Sequence, residues 1–315
     1  MNDALAVIDT YVTRQSRKNA VAEDPDVARL VEELQVRLGE QIVGILLYGS
    51  YLRGARDTLL DFYVIVDGYT DALKSPLSAL AGWLLPPNVY YLAVGEGEER
   101  VRAKYAVVSL AQLQRQVVAG QHPYFWARFA QPCNIVSVRD RRSRRRLLRI
   151  CEQSVRTFVR RVAPLVEGSC TAEDFWLRGF SLTYRAELRA ESTSRGSTLF
   201  EHHAAYYSLL LKHLADEGQH VVAGDGGRYR ASLLMAGGPG SAAVRWALVI
   251  ALGKVLSVAR LLKGAVTFDD PLDYILWKIE RHSGIATEAS VRQRRYPLIF
   301  AWPLVWRLYR QGAFR

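Results

Sequence analysis

The chain has 315 residues, half of them hydrophobic, and 42 Lys and Arg against 31 Asp and Glu give a net charge of +11. That composition supplies a sizeable core and excludes a wholly disordered chain. The excess of positive charge favours an anionic partner, whether nucleic acid, nucleotide or an acidic membrane surface.

The N-terminal stretch "MNDALAVIDTYVTRQSRKN" carries Asp3 and Asp9 in its only mildly apolar part, and lacks the basic-then-apolar order of a signal peptide. Residues 25–40 place Val27, Leu30, Val31, Leu34 and Leu38 at helical spacing. "IVGILLYG" predicts a short strand, Gly49-Ser50 a turn, and residues 59–66 a second strand. "TDALKSPLSALAGWLL" predicts a helix that "PPN" ends. "VYYLAV" and "RAKYAVVSL" predict two more strands joined by the Gly-Glu loop of 95–99, with helices following at 109–119 and 122–130.

Residues 139–149 hold seven arginines in eleven positions. They read either as a phosphate-binding patch or as a solvated turn opening a helix, and they mark a boundary between residues 1–140 and 141–315. Beyond it the pattern is mostly helical, with a Gly-rich break at 224–240. Residues 241–263 are apolar almost all round, with Arg245, Arg260 and Lys263 to one side, which predicts a buried helix. No stretch reaches the eighteen uncharged apolar residues of a membrane span; the best, 246–253, is bounded by Arg245 and Lys254. The tail "RQRRYPLIFAWPLVWRLYRQGAFR" flanks aromatics with arginines, a pattern of membrane interfaces and equally of a tail packed on its own domain. Cys133, Cys151 and Cys170 form no C-x-x-C pair and read as reduced thiols, and His202-His203 lack metal-ligand spacing.

The chemistry concentrates in "LLYGSYLRGARDTLLDFYVIVDG", residues 46–68. A Gly-Ser turn lets backbone N–H groups and a hydroxyl approach a triphosphate. Ten residues later, Asp61 stands inside an apolar strand, where an unpartnered carboxylate is costly. Carboxylates two residues apart on a strand share one face and together hold divalent metals for nucleotidyl transfer. Here the second place is Tyr63.

Several segments, in order over about residues 46–280, resemble the mitochondrial-type phosphatidate cytidylyltransferases, the Tam/Mmp family. They are "YGSYLRG", "LLDFYVIVD", "NVYYLAV", "AKYAVVSLAQL", "YFWARFAQPCNIV", "LTYRAELR" and "LKGAVTF" followed by "DYILWKI". The chain departs from the family pattern at Tyr51, Leu92, Ala106, Gln131 and Ala186-Glu187, as a distant, bacterial-style branch would. The resemblance implies an α+β fold: a polymerase-beta-like nucleotidyltransferase domain with a mixed sheet over 1–140, then a mostly helical, lipid-cleft domain over 141–315. It implies CTP plus phosphatidate giving CDP-diacylglycerol and pyrophosphate, with Mg²⁺. Gly49, Ser50, Lys104 and Tyr105 would hold the nucleotide. Asp61, with Glu187 as a more distant carboxylate, would hold the metal. Lys104 and Arg128 would neutralise or clamp phosphate, and Arg189 would assist. The family keeps only the first strand carboxylate, and a phosphate monoester, with a second pKa of ~6, needs little deprotonation before it attacks.

The expected partners are CTP and phosphatidate in an anionic membrane, with no nucleic acid, and the expected place is the inner face of a bacterial membrane, peripherally bound. Homo-oligomerisation stays open. Two alternatives also stay open: a nucleotidyltransferase acting on RNA or protein, and a nucleotide-binding regulatory protein without activity.

Overall fold

The computed structural model describes residues 3–18, 21, 23–55, 58–73, 75–97, 100–187, 193–232 and 238–267, with positions 290, 292, 293, 303 and 306 beyond them. Arg189, Lys278 and nearly all of the aromatic tail lie outside the described residues.

The fold is α+β, a five-stranded mixed sheet followed by a helical C-terminal region. Helices α1 (Asp3–Lys18) and α2 (Pro25–Leu38) precede β1 (Ile42–Tyr48) and β2 (Leu60–Val66). Helices α3 (Tyr69–Ala72) and α4 (Pro76–Leu84) lead to β3 (Asn88–Val94) and β4 (Val101–Ser109). Helices α5 (Leu110–Ala119) and α6 (Trp126–Phe129) then lead to β5 (Asn134–Val138). The strand order is β3-β4-β2-β1-β5, antiparallel except for the parallel pair β2 and β4.

The four strands expected from apolar runs are present, and α2 starts where Asp24 accepts from the backbone N–H groups of Asp26 and Val27 and Pro25 opens the first turn. Four elements differ from expectation, one being the helix expected at 122–130, of which only Trp126–Phe129 is helical. The single helix expected at 70–85 is two, because the Ser75 side chain caps a fresh start by accepting from the Ser78 backbone N–H, and Pro76, which has no N–H to satisfy, opens its first turn. Strand β5 and helix α1 were not expected. Strand β5 is only five residues long and follows directly on Pro132-Cys133, so its apolar run is too short to announce itself.

The sheet is buried on both faces, which explains its continuous apolar strands. One face, with Ile45, Leu47, Phe62 and Val64, packs under α2. The other, with Val43, Leu46, Tyr63 and Ile65, packs under helices from both parts of the chain. Those helices include α7 (Arg141–Val162), α8 (Ala172–Arg185) and α10 (Ala204–Asp216), with α9 (Thr193–His202) between the last two. A two-stranded ribbon, β6 (Val221–Ala223) and β7 (Tyr229–Ala231), and the long α11 (Pro239–Thr267) complete the described chain. The arginine-rich 139–149 opens α7, capped by Asp140, as the helix-opening reading supposed.

Residue 140 falls between β5 and α7, but one apolar cluster runs across it. Phe158 of α7 lies edge-on to Trp126 of α6 at 6.1 Å and stacks on Trp176 of α8 at 4.7 Å. Both parts should therefore unfold together. Truncating the fully buried Phe158 to Ala should cost about 3–5 kcal/mol. In urea, tryptophan fluorescence and circular dichroism should shift together; a shift confined to one probe would show two separate units.

Candidate active site

Strand β1 ends at Tyr48, and Gly49 follows with φ +95°, a conformation that side chains rarely adopt. A Cβ on Gly49 would stand 2.9 Å from Asp61 Oδ2. Glycine is therefore required twice here, by the backbone angle and by the closeness of the carboxylate. Ser50 opens a short 3₁₀ turn to Arg53, its hydroxyl donating to Thr58 Oγ1 at 3.2 Å, while Arg53 Nη1 donates to the Gly49 carbonyl at 3.1 Å. The turn is held by its own side chains.

Asp61 lies opposite Tyr48 on β1 and Lys104 on β4. Lys104 Nζ is 3.7 Å from Asp61 Oδ1, and the two side chains are 38% and 28% exposed. Gly49, Ser50, Asp61 and Lys104 thus meet near one end of the inner strands β1, β2 and β4. Tyr105 does not join them. Adjacent strand residues point to opposite faces, and Tyr105 is buried under α2, stacked on Tyr90 at 5.2 Å. Its expected role in nucleotide binding is corrected.

Two residues beyond Asp61, Tyr63 shares its face. Its ring stacks on Tyr48 at 4.8 Å and meets Phe129 at 4.8 Å. Its hydroxyl is buried without a hydrogen-bond partner. Burial, then Tyr124, pushes the Tyr63 phenol well above its ordinary range, so it remains neutral. A carboxylate could not occupy this aromatic environment cheaply, so Tyr63 fits its packing as no metal ligand would.

Behind Tyr63 lies a second polar group. Arg128 Nη2 donates to Glu187 Oε2 at 3.0 Å and Nη1 to the Tyr124 carbonyl at 2.9 Å, and the two side chains are only 14% and 12% exposed. The Arg128 guanidinium lies 3.9 Å from the centre of the Tyr124 ring. Arg128 and Glu187 therefore meet each other rather than Asp61. The expectation of Glu187 as a second metal carboxylate is corrected: its charge is committed to Arg128. Arg128 likewise is placed as a buried ion-pair partner of Glu187. Among the described residues, no group of three or more His, Cys, Asp or Glu gathers as metal ligands. Of the two carboxylates expected to serve together, Asp61 is the one at this site, its Oδ1 facing Lys104.

The sequence reading passed over Arg260 and His122. Arg260 of α11 lies 4.2 Å from the centre of the same Tyr124 ring, its Nε donating to the Pro86 carbonyl at 3.1 Å and its Nη1 buried without a partner. Two guanidinium groups thus share one tyrosine ring, a favourable face for cations. His122 accepts from the Tyr124 backbone N–H at Nδ1, 3.1 Å, and its Nε2 lies 3.4 Å from the Ala186 carbonyl. That pairing requires a neutral ring protonated on Nε2. The signal for both is tertiary: α11 approaches from over a hundred residues away. Asp67 pairs with Arg139 at 2.6 Å, away from this site.

No protein-family model matches the chain, and no curated protein matches it.

Burial, then the Arg260 charge, lowers the His122 pKa to about 4. Above the unfolded value of about 6.5 both states are neutral, and the histidine adds no pH dependence. As pH falls from about 6.5 to about 4, the unfolded state takes up a proton that the folded state refuses, and stability drops. The loss approaches about 3 kcal/mol at its limit. Chemical denaturation across this window should show the slope, and His122→Gln should flatten it; an unchanged slope in the variant would place the titration elsewhere.

Proposed function

We propose that the chain is a CTP:phosphatidate cytidylyltransferase built on a polymerase-beta-like nucleotidyltransferase fold. The observation that carries this reading is the Asp61 carboxylate held against the Gly49 backbone, with Ser50 and Lys104 beside it, near one end of the inner strands β1, β2 and β4. That end offers a glycine turn and a hydroxyl for phosphate, a cation for its charge and a carboxylate for a metal ion. The resemblance of the ordered segments supplies the substrates.

In this reading a phosphate oxygen of phosphatidate attacks the α-phosphorus of CTP. The new P–O bond makes the diphosphate of CDP-diacylglycerol, and the bond to the bridging oxygen breaks, so that pyrophosphate leaves with the electron pair. The nucleophile is mostly dianionic at neutral pH, and no general base is needed. Lys104 neutralises charge on the transferring group. When bound, Mg²⁺ supplies charge neutralisation on the phosphates, with Asp61 as its protein ligand. Arg128 and Glu187 hold Tyr124 and the helical side of the cleft rather than touching the reacting atoms.

The lone carboxylate also supports a second reading, a nucleotide-binding regulatory protein without activity. Pyrophosphate release from each of the four nucleoside triphosphates, with and without phosphatidate vesicles, separates the two. The proposal expects release only with CTP, phosphatidate and Mg²⁺ together. Asp61→Asn should lower it at least about a hundredfold. Release without lipid would move the reading to RNA or protein as acceptor, and CTP binding without release would favour the regulatory one.

A further inference from the structure

Helix α11 was expected to be buried, yet its stretch Pro239–Gly264 is only 22% buried over its most apolar part. By length and composition this stretch is also apolar enough to cross a membrane, contrary to expectation. The helix has two sides. Ala242, Trp246 and Val249 are buried against the protein, Trp246 Nε1 donates to the Arg161 carbonyl at 3.0 Å, and Gly253 lies so close that a Cβ would meet the Ala186 carbonyl at 2.2 Å. Arg260 and Lys263 continue the same side, Lys263 Nζ donating to the Leu85 carbonyl, to the Pro87 carbonyl at 2.6 Å and to Asn88 Oδ1 at 2.9 Å. These contacts recur every three or four residues, so the helix lies along the protein and its other side faces out.

That outer side is apolar. Leu248, Leu252, Val255 and Leu262 are 67%, 49%, 65% and 67% exposed. Helix α4 adds Leu77, Trp83 and Leu84, at 78%, 61% and 64%. The two sets adjoin, since Leu262 and Leu84 are each one residue from the Lys263–Leu85 hydrogen bond. Large apolar side chains exposed on two neighbouring elements mark an interaction surface.

We propose that α4 and α11 form one surface that docks edge-on into an anionic lipid bilayer. Charge selects this occupant. There is no Asp or Glu between residues 72 and 95 or between 226 and 268, while α11 exposes Arg245 and Lys254, its Arg260 and Lys263 being turned inward. At its N-terminal end Arg245 lies close enough to Arg161 to act on it, as does Arg160. Cations beside an apolar helix face suit an interface with acidic headgroups. A second copy of the chain would bring like charges together face to face. The tail from residue 290 onward carries six arginines and no Asp or Glu, the same sign of charge as this face. Spanning would strip the buried hydrogen bonds of Trp246, Arg260 and Lys263 from their partners, so the helix lies in the interface instead.

The surface stands on its own observations; that it brings a lipid substrate to the Asp61 site rests on the transfer reading above. Flotation of the full chain tests it, with vesicles of phosphatidylcholine alone and with added phosphatidylglycerol. Wild type should float with the anionic vesicles and far less with the neutral ones. The exposed-face variant Leu248→Gln/Leu252→Gln/Val255→Gln, and separately Trp83→Ser, should lower the partition coefficient at least about tenfold with unchanged circular dichroism. Arg245→Glu/Lys254→Glu should lower it as well, and Asp61→Asn should float as wild type does. Binding that survives all the face variants, a wild type that fails to float, or a wild-type dimer that the face variants dissociate would overturn the proposal. Because flotation is read apart from pyrophosphate release, a failure of the chemistry leaves this test intact.

Discussion

Everything at the candidate site depends on how β2 carries a charge into a sheet that is buried on both faces. A carboxylate in an apolar strand is tolerated only where water or a cation reaches it. Asp61 is the second residue of β2, near the strand's start, with Lys104 opposite and the glycine turn leaving it room. One step further along the same face, Tyr63 is already core. The change from solvated acid to buried aromatic within two residues is what leaves space for one strand carboxylate and none for a second.

Tyr63 also organises what lies behind it. Its ring ties Tyr48 on β1 to Phe129 on α6. The short α6 and the turn before it supply Tyr124 and Arg128, and the residues just past α8 supply Glu187. An ion pair this enclosed adds little net stability, but losing either partner would strand the other. Its effect is to fix the orientation of Tyr124, on which Arg260 from α11 then rests.

Local patterns carried the sheet and failed where the chain folds back on itself. The apolar runs announced β1 to β4 because strands covered on both faces must be apolar throughout. The placement of Gly49, Ser50, Asp61 and Lys104 together was legible from the turn, the gap and the resemblance. Tyr105 was legible too, had the two-residue period been applied: as the neighbour of Lys104 it must face the other way. The partners of Glu187 and Arg260 were not, since Arg128 lies 59 residues from Glu187 in the chain and Pro86 lies 174 from Arg260. For α11, a helix apolar all round gives periodicity nothing to read. Only the side chains it meets decide which face is inside.

The close approach at Gly253 shows why those two scales belong to one design. With no side chain there, α11 comes down onto the Ala186 carbonyl and the edge of His122. About two turns later the same side of the helix delivers Arg260 to Tyr124, and nearly one turn beyond that Lys263 to the loop after α4. A larger residue at 253 would lift the helix from the ring of Tyr124 and from α4 at once. The apolar outer face and the inner cation cluster are therefore opposite sides of one rigid element, and neither can shift without the other.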